Sequence, residues 1–171
     1  CLQWTYRGIR VVEEICRFDP DLVTIEECDH LPFLMKYLKP RGYDSCYQEK
    51  TSSPIRHVAK EMIEERGLEK DALNMPNDGV ALIYKTDKFE IVDDAEVQQI
   101  DSKQNKEKVT ALGVPLKIKS IDQTVLFVVT HLKSTKSAEG EEHRERQINL
   151  LFKELLKNEQ NLPVVLTCDL N

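Results

Sequence analysis

Four short runs of this 171-residue chain, 22–25, 80–84, 125–130 and 164–168, are almost entirely apolar. A strand with one face in water alternates apolar and polar residues, whereas a strand covered on both faces does not. Uniform runs of four to six residues therefore call for strands inside a layered α/β or sandwich core. The segments between them read as helices. In residues 5–18, Ile9, Val12 and Cys16 follow helical spacing until Asp19-Pro20 stops the run. Leu31, Leu34, Met35 and Leu38 mark a second helix, closed by Pro40 and Gly42. Residues 43–49 read as a strand. A third helix is expected over 53–66, with Ser53 as N-cap, Pro54 in the first turn and a stripe of Ile55, Val58, Ala59, Met62 and Ile63. A polar loop over 68–78 follows.

Strands are then expected at 79–85, 89–98, 108–118 and 124–131, with connections too short for crossover helices, so that these neighbours should pair antiparallel. A long helix at about 138–158 turns Ile148, Leu151, Phe152 and Leu155 inward, and a last strand runs from Pro163 to Cys168. The expected unit is one domain over 1–171, with 53–77 as a helical insertion. No apolar run approaches the roughly 20 residues of a membrane span. The five cysteines, Cys1, Cys16, Cys28, Cys46 and Cys168, form no CxxC pair and are expected to be reduced thiols of an intracellular, cytoplasmic protein. Mitochondrial targeting stays open, because the chain begins at Cys1.

Each apolar run is followed or preceded by polar groups that the topology carries to one rim. Glu26 and Glu27 follow the first, His131 and Lys133 the third, Asp169 and Asn171 the fourth, and Asp78 precedes the second. Open α/β sheets hold ligands at such strand ends. Carboxylates there make a hard oxygen site suited to Mg²⁺, an ion that neutralises phosphate oxygens and activates water. With a formal net charge of −6, the chain can hold an anion only through a local basic cluster, a metal, or both.

The residues that form this rim resemble the endonuclease/exonuclease/phosphatase superfamily. PDLVTIEECD (20–29) is similar to its P-D-hydrophobic-Q-E-V motif, NDGVALIYKTDKF (77–89) to its D-G-x-A strand, and VVTHLKS (128–134) to its T-H-L segment. RERQINLL (144–151) matches its R-x-x-Q helix, and PVVLTCDLN (163–171) its P-hydrophobic-G-D-F-N strand. IEECDHL and THLKS point to the branch of nocturnin, the Angel proteins and the carbon-catabolite-repressor-type deadenylases. The resemblance implies a four-layered, DNase I-like α/β sandwich whose mixed, largely antiparallel sheet is flanked by helices, here truncated at both ends. The family's first-strand Asn ligand would precede Cys1, and its S-D-H segment would follow Asn171; residues 1–171 alone are expected to be inactive and poorly stable.

The same resemblance implies the roles. Glu27 is the metal ligand, with Mg²⁺ as cofactor and Mn²⁺ as a substitute. Asp169 orients and deprotonates the attacking water, Asn171 holds a phosphate oxygen, and His131 sits at the floor of the site. Lys50, Asp78, Lys133 and Gln147 contact or position substrate, with Arg144 supporting the site from the helix. The implied substrate is an RNA 3′ end, poly(A) above all, degraded 3′ to 5′, or the 2′-phosphate of NADP(H). Three residues depart from the pattern. Glu26 stands where the family has Gln, Cys168 where it has Gly, and Thr135 where a nocturnin-type site has an Arg. Loss of that guanidinium removes a bidentate phosphate clamp. Two other readings remain: a catalytically inactive relative acting as an interaction module, docking through 53–66, and a flavodoxin-like binding domain.

Overall fold

The computed structural model describes residues 4–50, 78–92, 98–101, 109–155, 157 and 161–171. The helix expected over 53–66, and the insertion 53–77 that contains it, lie outside these residues. Two sheets form the centre. In the first, β3 (Gly79–Lys85) runs between β1 (Leu22–Ile25) and β2 (Tyr43–Glu49), antiparallel to both. The second has the order β4 (Phe89–Ile91), β6 (Thr110–Ile118), β7 (Gln123–His131), β8 (Val164–Asp169), with β5 (Gln98–Asp101) also on β6. All its pairings are antiparallel except β7 with β8, which are parallel and joined through α3 (Ala138–Leu155), the crossover that parallel neighbours require.

Side-chain parity builds three cores from these strands. Ala81 and Ile83 of β3 meet Val12 and Ile15 of α1 (Trp4–Phe18) and Leu34 and Leu38 of α2 (Leu31–Leu38). The alternate residues Val80, Leu82 and Tyr84 face Leu112, Val114, Leu116 and Val129 of the second sheet. On the far side of that sheet, Ala111, Leu126 and Val128 pack on Leu151 and Leu155 of α3. The layers are thus helix, sheet, sheet, helix, and β3, β6 and β7 are buried on both faces, which is why their sequences do not alternate. Each fully buried Leu or Val contributes roughly 1.5–3 kcal/mol through its removal from water. Gly42, at φ 84°, turns the chain from the short 3₁₀ segment Lys39–Arg41 into β2.

Several expectations are corrected. The strands between 79 and 131 are not one antiparallel run: β3 belongs to the first sheet, and the turn 86–88 hands the chain to the second. Of the strand expected over 89–98, the described residues belong to β4 at one end and to the start of β5 at the other, and these pair with opposite ends of β6. The run 164–168 is not covered on both faces. Among the described residues β8 pairs with β7 alone, and Val164 and Val165 are each 43% exposed at the sheet edge. Phe152 is 49% exposed, because it sits one helical step, about 100°, round from the buried Leu151. Ile9 of α1 is likewise turned off the face set by Val12 and Ile15. No described helix is long and apolar enough to cross a membrane.

Candidate active site

The rim of the sandwich is built by a break in the β1–β3 ladder. Ile25 pairs with Ala81, but Cys28 exchanges both backbone hydrogen bonds with Gly79, its N–H donating at 2.9 Å and its carbonyl accepting at 3.2 Å. Glu26 and Glu27 together therefore oppose Val80 alone. This is a β-bulge, and Glu27 takes a left-handed backbone, φ 52°, to make it. An unbroken ladder would send successive side chains to opposite faces. The bulge re-aims them, so both glutamates lie at the rim. Glu26 lies close enough to β8 for its charge to act on Cys168, whose thiol is pushed up to about 11 by burial first, then by Glu26 and Asp169.

On the other side of β3 the register continues past β2. The Lys50 N–H donates to the Asp78 carbonyl at 3.0 Å, so the two side chains share the face turned toward the second sheet. Lys50 Nζ stands 3.5 Å from Asp78 Oδ2. Asp78 is buried, and its Oδ1 has no hydrogen-bond partner among the described residues. Glu27, Lys50, Asp78, Gly79, Thr110 and His131 line one small recess. His131 reaches it because residues of odd number in β7, like Val129, face the gap between the sheets.

The second sheet supplies the remaining groups. The parallel register sets His131 beside Asp169, with Nε2 4.0 Å from Oδ2, and the Leu132 N–H donates to the Asp169 carbonyl at 3.1 Å. The His131 side chain is only 12% exposed and that of Asp169 55%, so one forms the floor and the other stands at the mouth. Asn171, at φ 56°, closes a turn on this carboxylate: its N–H donates to Asp169 Oδ1 at 2.9 Å, and its side-chain amide to the Leu132 carbonyl at 3.0 Å.

The segment that leaves β7 is held from α3. Arg144, 7% exposed, donates from one guanidinium nitrogen to the carbonyls of Lys133 (2.7 Å) and Thr135 (2.9 Å), and from another to Glu141 (2.7 Å). Gln147 Oε1 accepts the Lys133 N–H at 3.0 Å. Gly140 allows the approach, since a Cβ there would overlap the Thr135 carbonyl. The Ser137 hydroxyl accepts the Gly140 N–H at 3.1 Å and caps the helix.

Of the residues singled out in the sequence, Glu27, Lys50, Asp78 and His131 thus share a recess, and Asp169 adjoins it through His131. Asn171 is fastened to Leu132 and Asp169. Lys133 presents an exposed side chain and a clamped backbone, and Gln147 is buried under it. Thr110 of the recess was not foreseen, because nothing in its sequence neighbourhood marks it. Among the described residues no group of three or more His, Cys, Asp or Glu side chains forms a metal cage. The donor set nevertheless fits Mg²⁺ in kind. That ion takes one or two carboxylates and leaves its other positions to water and phosphate, and the rim offers Glu27 and an Asp78 oxygen that has no partner among the described residues.

A two-sheet sandwich between helix layers, with carboxylates, a histidine and lysines at one rim, defines the class: it is the DNase I-like fold of the endonuclease/exonuclease/phosphatase superfamily. The chain is similar over 99% of its length to the catalytic domain of human nocturnin with bound sulfate, at 25% identity and a TM-score of 0.77, covering 58% of that chain. Among curated relatives it is 25% identical to nocturnin of Drosophila melanogaster over 171 residues, 99% of this chain and 24% of the relative. It is 26% identical to protein angel of the same fly over 176 residues, 99% of this chain and 44% of the relative. ANGEL2, described as a 2′,3′-cyclic phosphatase and solved with adenosine-2′,3′-vanadate, shares the fold at 18% identity and a TM-score of 0.70, with 99% of this chain and 45% of that one covered. No family model matches the chain. It spans from about a quarter to somewhat over half the length of these relatives. In sequence and in fold the chain is thus similar to nocturnin.

Proposed function

We propose that the protein containing this chain is a metal-dependent phosphoester hydrolase acting on the 3′ end of RNA. The observation that carries this reading is the recess in which Glu27, Lys50, Asp78 and His131 converge from two sheets, with Asp169 4.0 Å from the histidine. In this reading Glu27 holds the cation. Mg²⁺, or Mn²⁺ in its place, would neutralise phosphate oxygens and acidify a water when bound. Lys50 and Lys133 offset the remaining phosphate charge. His131, fixed at the floor, donates a hydrogen bond to a phosphate oxygen. Asp169 accepts the proton of the attacking water at the mouth, with Asn171 holding its carboxylate in place.

The relatives support this class. ANGEL2 is described as a phosphatase and was solved with a nucleoside vanadate, and the nocturnin domain was solved with sulfate. RNA is preferred over NADP(H) because Thr135 stands where a nocturnin-type site would supply a guanidinium. The test is hydrolysis of poly(A) RNA and of NADPH by the full-length protein with Mg²⁺, beside Glu27→Ala and Asp169→Asn. Cleavage of poly(A) that both substitutions reduce at least 100-fold is expected. Cleavage that neither reduces refutes the assignment.

A further inference from the structure

The Cys28 carbonyl that closes the bulge accepts two hydrogen bonds. One is the 3.2 Å bond from the Gly79 N–H, at the long limit for an amide donor. The other comes from the Tyr47 hydroxyl, 3.1 Å away. Tyr47 lies on β2 opposite Ala81 and packs in the core beneath the helices, beside Cys28. Its ring reaches across Gly79 to do so: a Cβ on that glycine would overlap the Gln48 backbone carbonyl and stand 2.7 Å from the ring's Cζ and from the hydroxyl. The absent side chain at Gly79 is therefore the gap through which Tyr47 braces the bulge.

From this we infer that Tyr47 is a positioning residue for Glu27: its hydroxyl holds the backbone that aims the Glu27 carboxylate into the recess. Glu27 needs such a support. It is exposed, it occupies a left-handed backbone that an L-residue adopts at a cost, and the strand pairing on either side of it is out of step by one residue. Without a brace, the bulge can slip toward the regular register, which would turn the glutamate to the other face. Burial, then the charges of Cys28, Glu49, Asp78 and Asp29, push the Tyr47 hydroxyl up to about 12, so it remains a proton donor throughout the neutral range. Partners one step removed from a metal ligand commonly change affinity by about 10–100-fold when lost.

The inference rests on Glu27 being the metal ligand, and the experiment separates the two. In the full-length protein, Mn²⁺ affinity is measured by water-proton relaxation for wild type, Tyr47→Phe and Glu27→Ala, together with amide hydrogen exchange at Cys28 and Gly79. Tyr47→Phe removes one oxygen and keeps the ring in the core. The expected result is Mn²⁺ binding about 10-fold weaker in Tyr47→Phe, lost in Glu27→Ala, and faster exchange at Cys28 and Gly79 in Tyr47→Phe. If Glu27→Ala abolishes binding while Tyr47→Phe binds as wild type does, or leaves exchange at Cys28 and Gly79 unchanged, the bracing role is wrong. If Glu27→Ala binds as wild type, the metal assignment itself fails and the bracing role falls with it.

Discussion

Replacing Glu27 by glycine should leave a more stable protein than replacing it by alanine, a reversal of the usual order. An L-residue in the left-handed region costs roughly 1–2 kcal/mol, a cost that alanine at φ 52° keeps and glycine does not. Against this, glycine loses more chain entropy on folding than alanine, by roughly 0.5–1 kcal/mol. Glu27 is exposed, so both substitutions forfeit the same few contacts. The difference left centres on roughly 0.75 kcal/mol in favour of glycine, or about 1.5–3 °C in melting temperature for a unit of this size. The neighbouring Glu26, whose φ is not positive, serves as control: there alanine should be the more stable. Urea denaturation followed by circular dichroism, in metal-free buffer so that ligand linkage does not enter, measures both pairs. Alanine equal to or above glycine at position 27 would mean that the bulge does not hold Glu27 in the left-handed region.

Arg144→Met should destabilise by about 1.5–3 kcal/mol, because it removes the charge-assisted hydrogen bonds to the carbonyls of Lys133 and Thr135; a shift in urea midpoint equivalent to less than about 0.5 kcal/mol would contradict the clamp. Leu151→Ala should cost about 2–5 kcal/mol through a cavity, whereas the half-exposed Phe152→Ala should cost well under that, a contrast that the same denaturation reads out. Stability should fall as pH rises above about 9. The thiols of Cys28, Cys46 and Cys168 are each pushed by burial from 9.0 up to about 11. Between those values the unfolded chain releases the thiol protons while the folded one keeps them, so rising pH favours unfolding. Urea midpoints that stay flat between about pH 8.5 and 10.5, together with ready thiol alkylation of native protein at neutral pH, would contradict this burial.

The layers were legible in the sequence wherever one physical cause acted alone. β3, β6 and β7 read as apolar runs because helix or sheet covers each of their faces, and α1 and α2 declared themselves by spacing and by the stops at Asp19-Pro20 and Gly42. The run 164–168 carries the same composition, yet it lies at an edge among the described strands, because composition records what a strand tolerates and not how many neighbours it has. Periodicity also misled on α3. The four apolar residues Ile148, Leu151, Phe152 and Leu155 suggested a hydrophobic stripe, but the buried face runs Gly140, Arg144, Gln147, Leu151, Leu155. Its first half is polar because it grips backbone carbonyls and an N–H of the loop after β7. An arginine and a glutamine spaced for one face of a helix look the same in sequence whether that face meets water or a loop.

The candidate site shows the same division. Strand ends could be read as converging, since topology carries them there, and Lys50 could be matched to Asp78 once the β2–β3 register was known. What the sequence could not reveal is the bulge. Alternation along β1 places Glu26 and Glu27 on opposite faces of a regular strand, so one of them would be lost to the helix side. Only the one-residue slip between Ile25–Ala81 and Cys28–Gly79 brings both to the rim. That slip depends on contacts remote in sequence, the Tyr47 hydroxyl and the bare Cα of Gly79, neither of which is near Glu27 in the chain. The acidic pair therefore owes its placement to β2 and β3 rather than to the strand that carries it, and a substitution that restores a regular ladder there should move the carboxylate without altering a single residue of the EE pair.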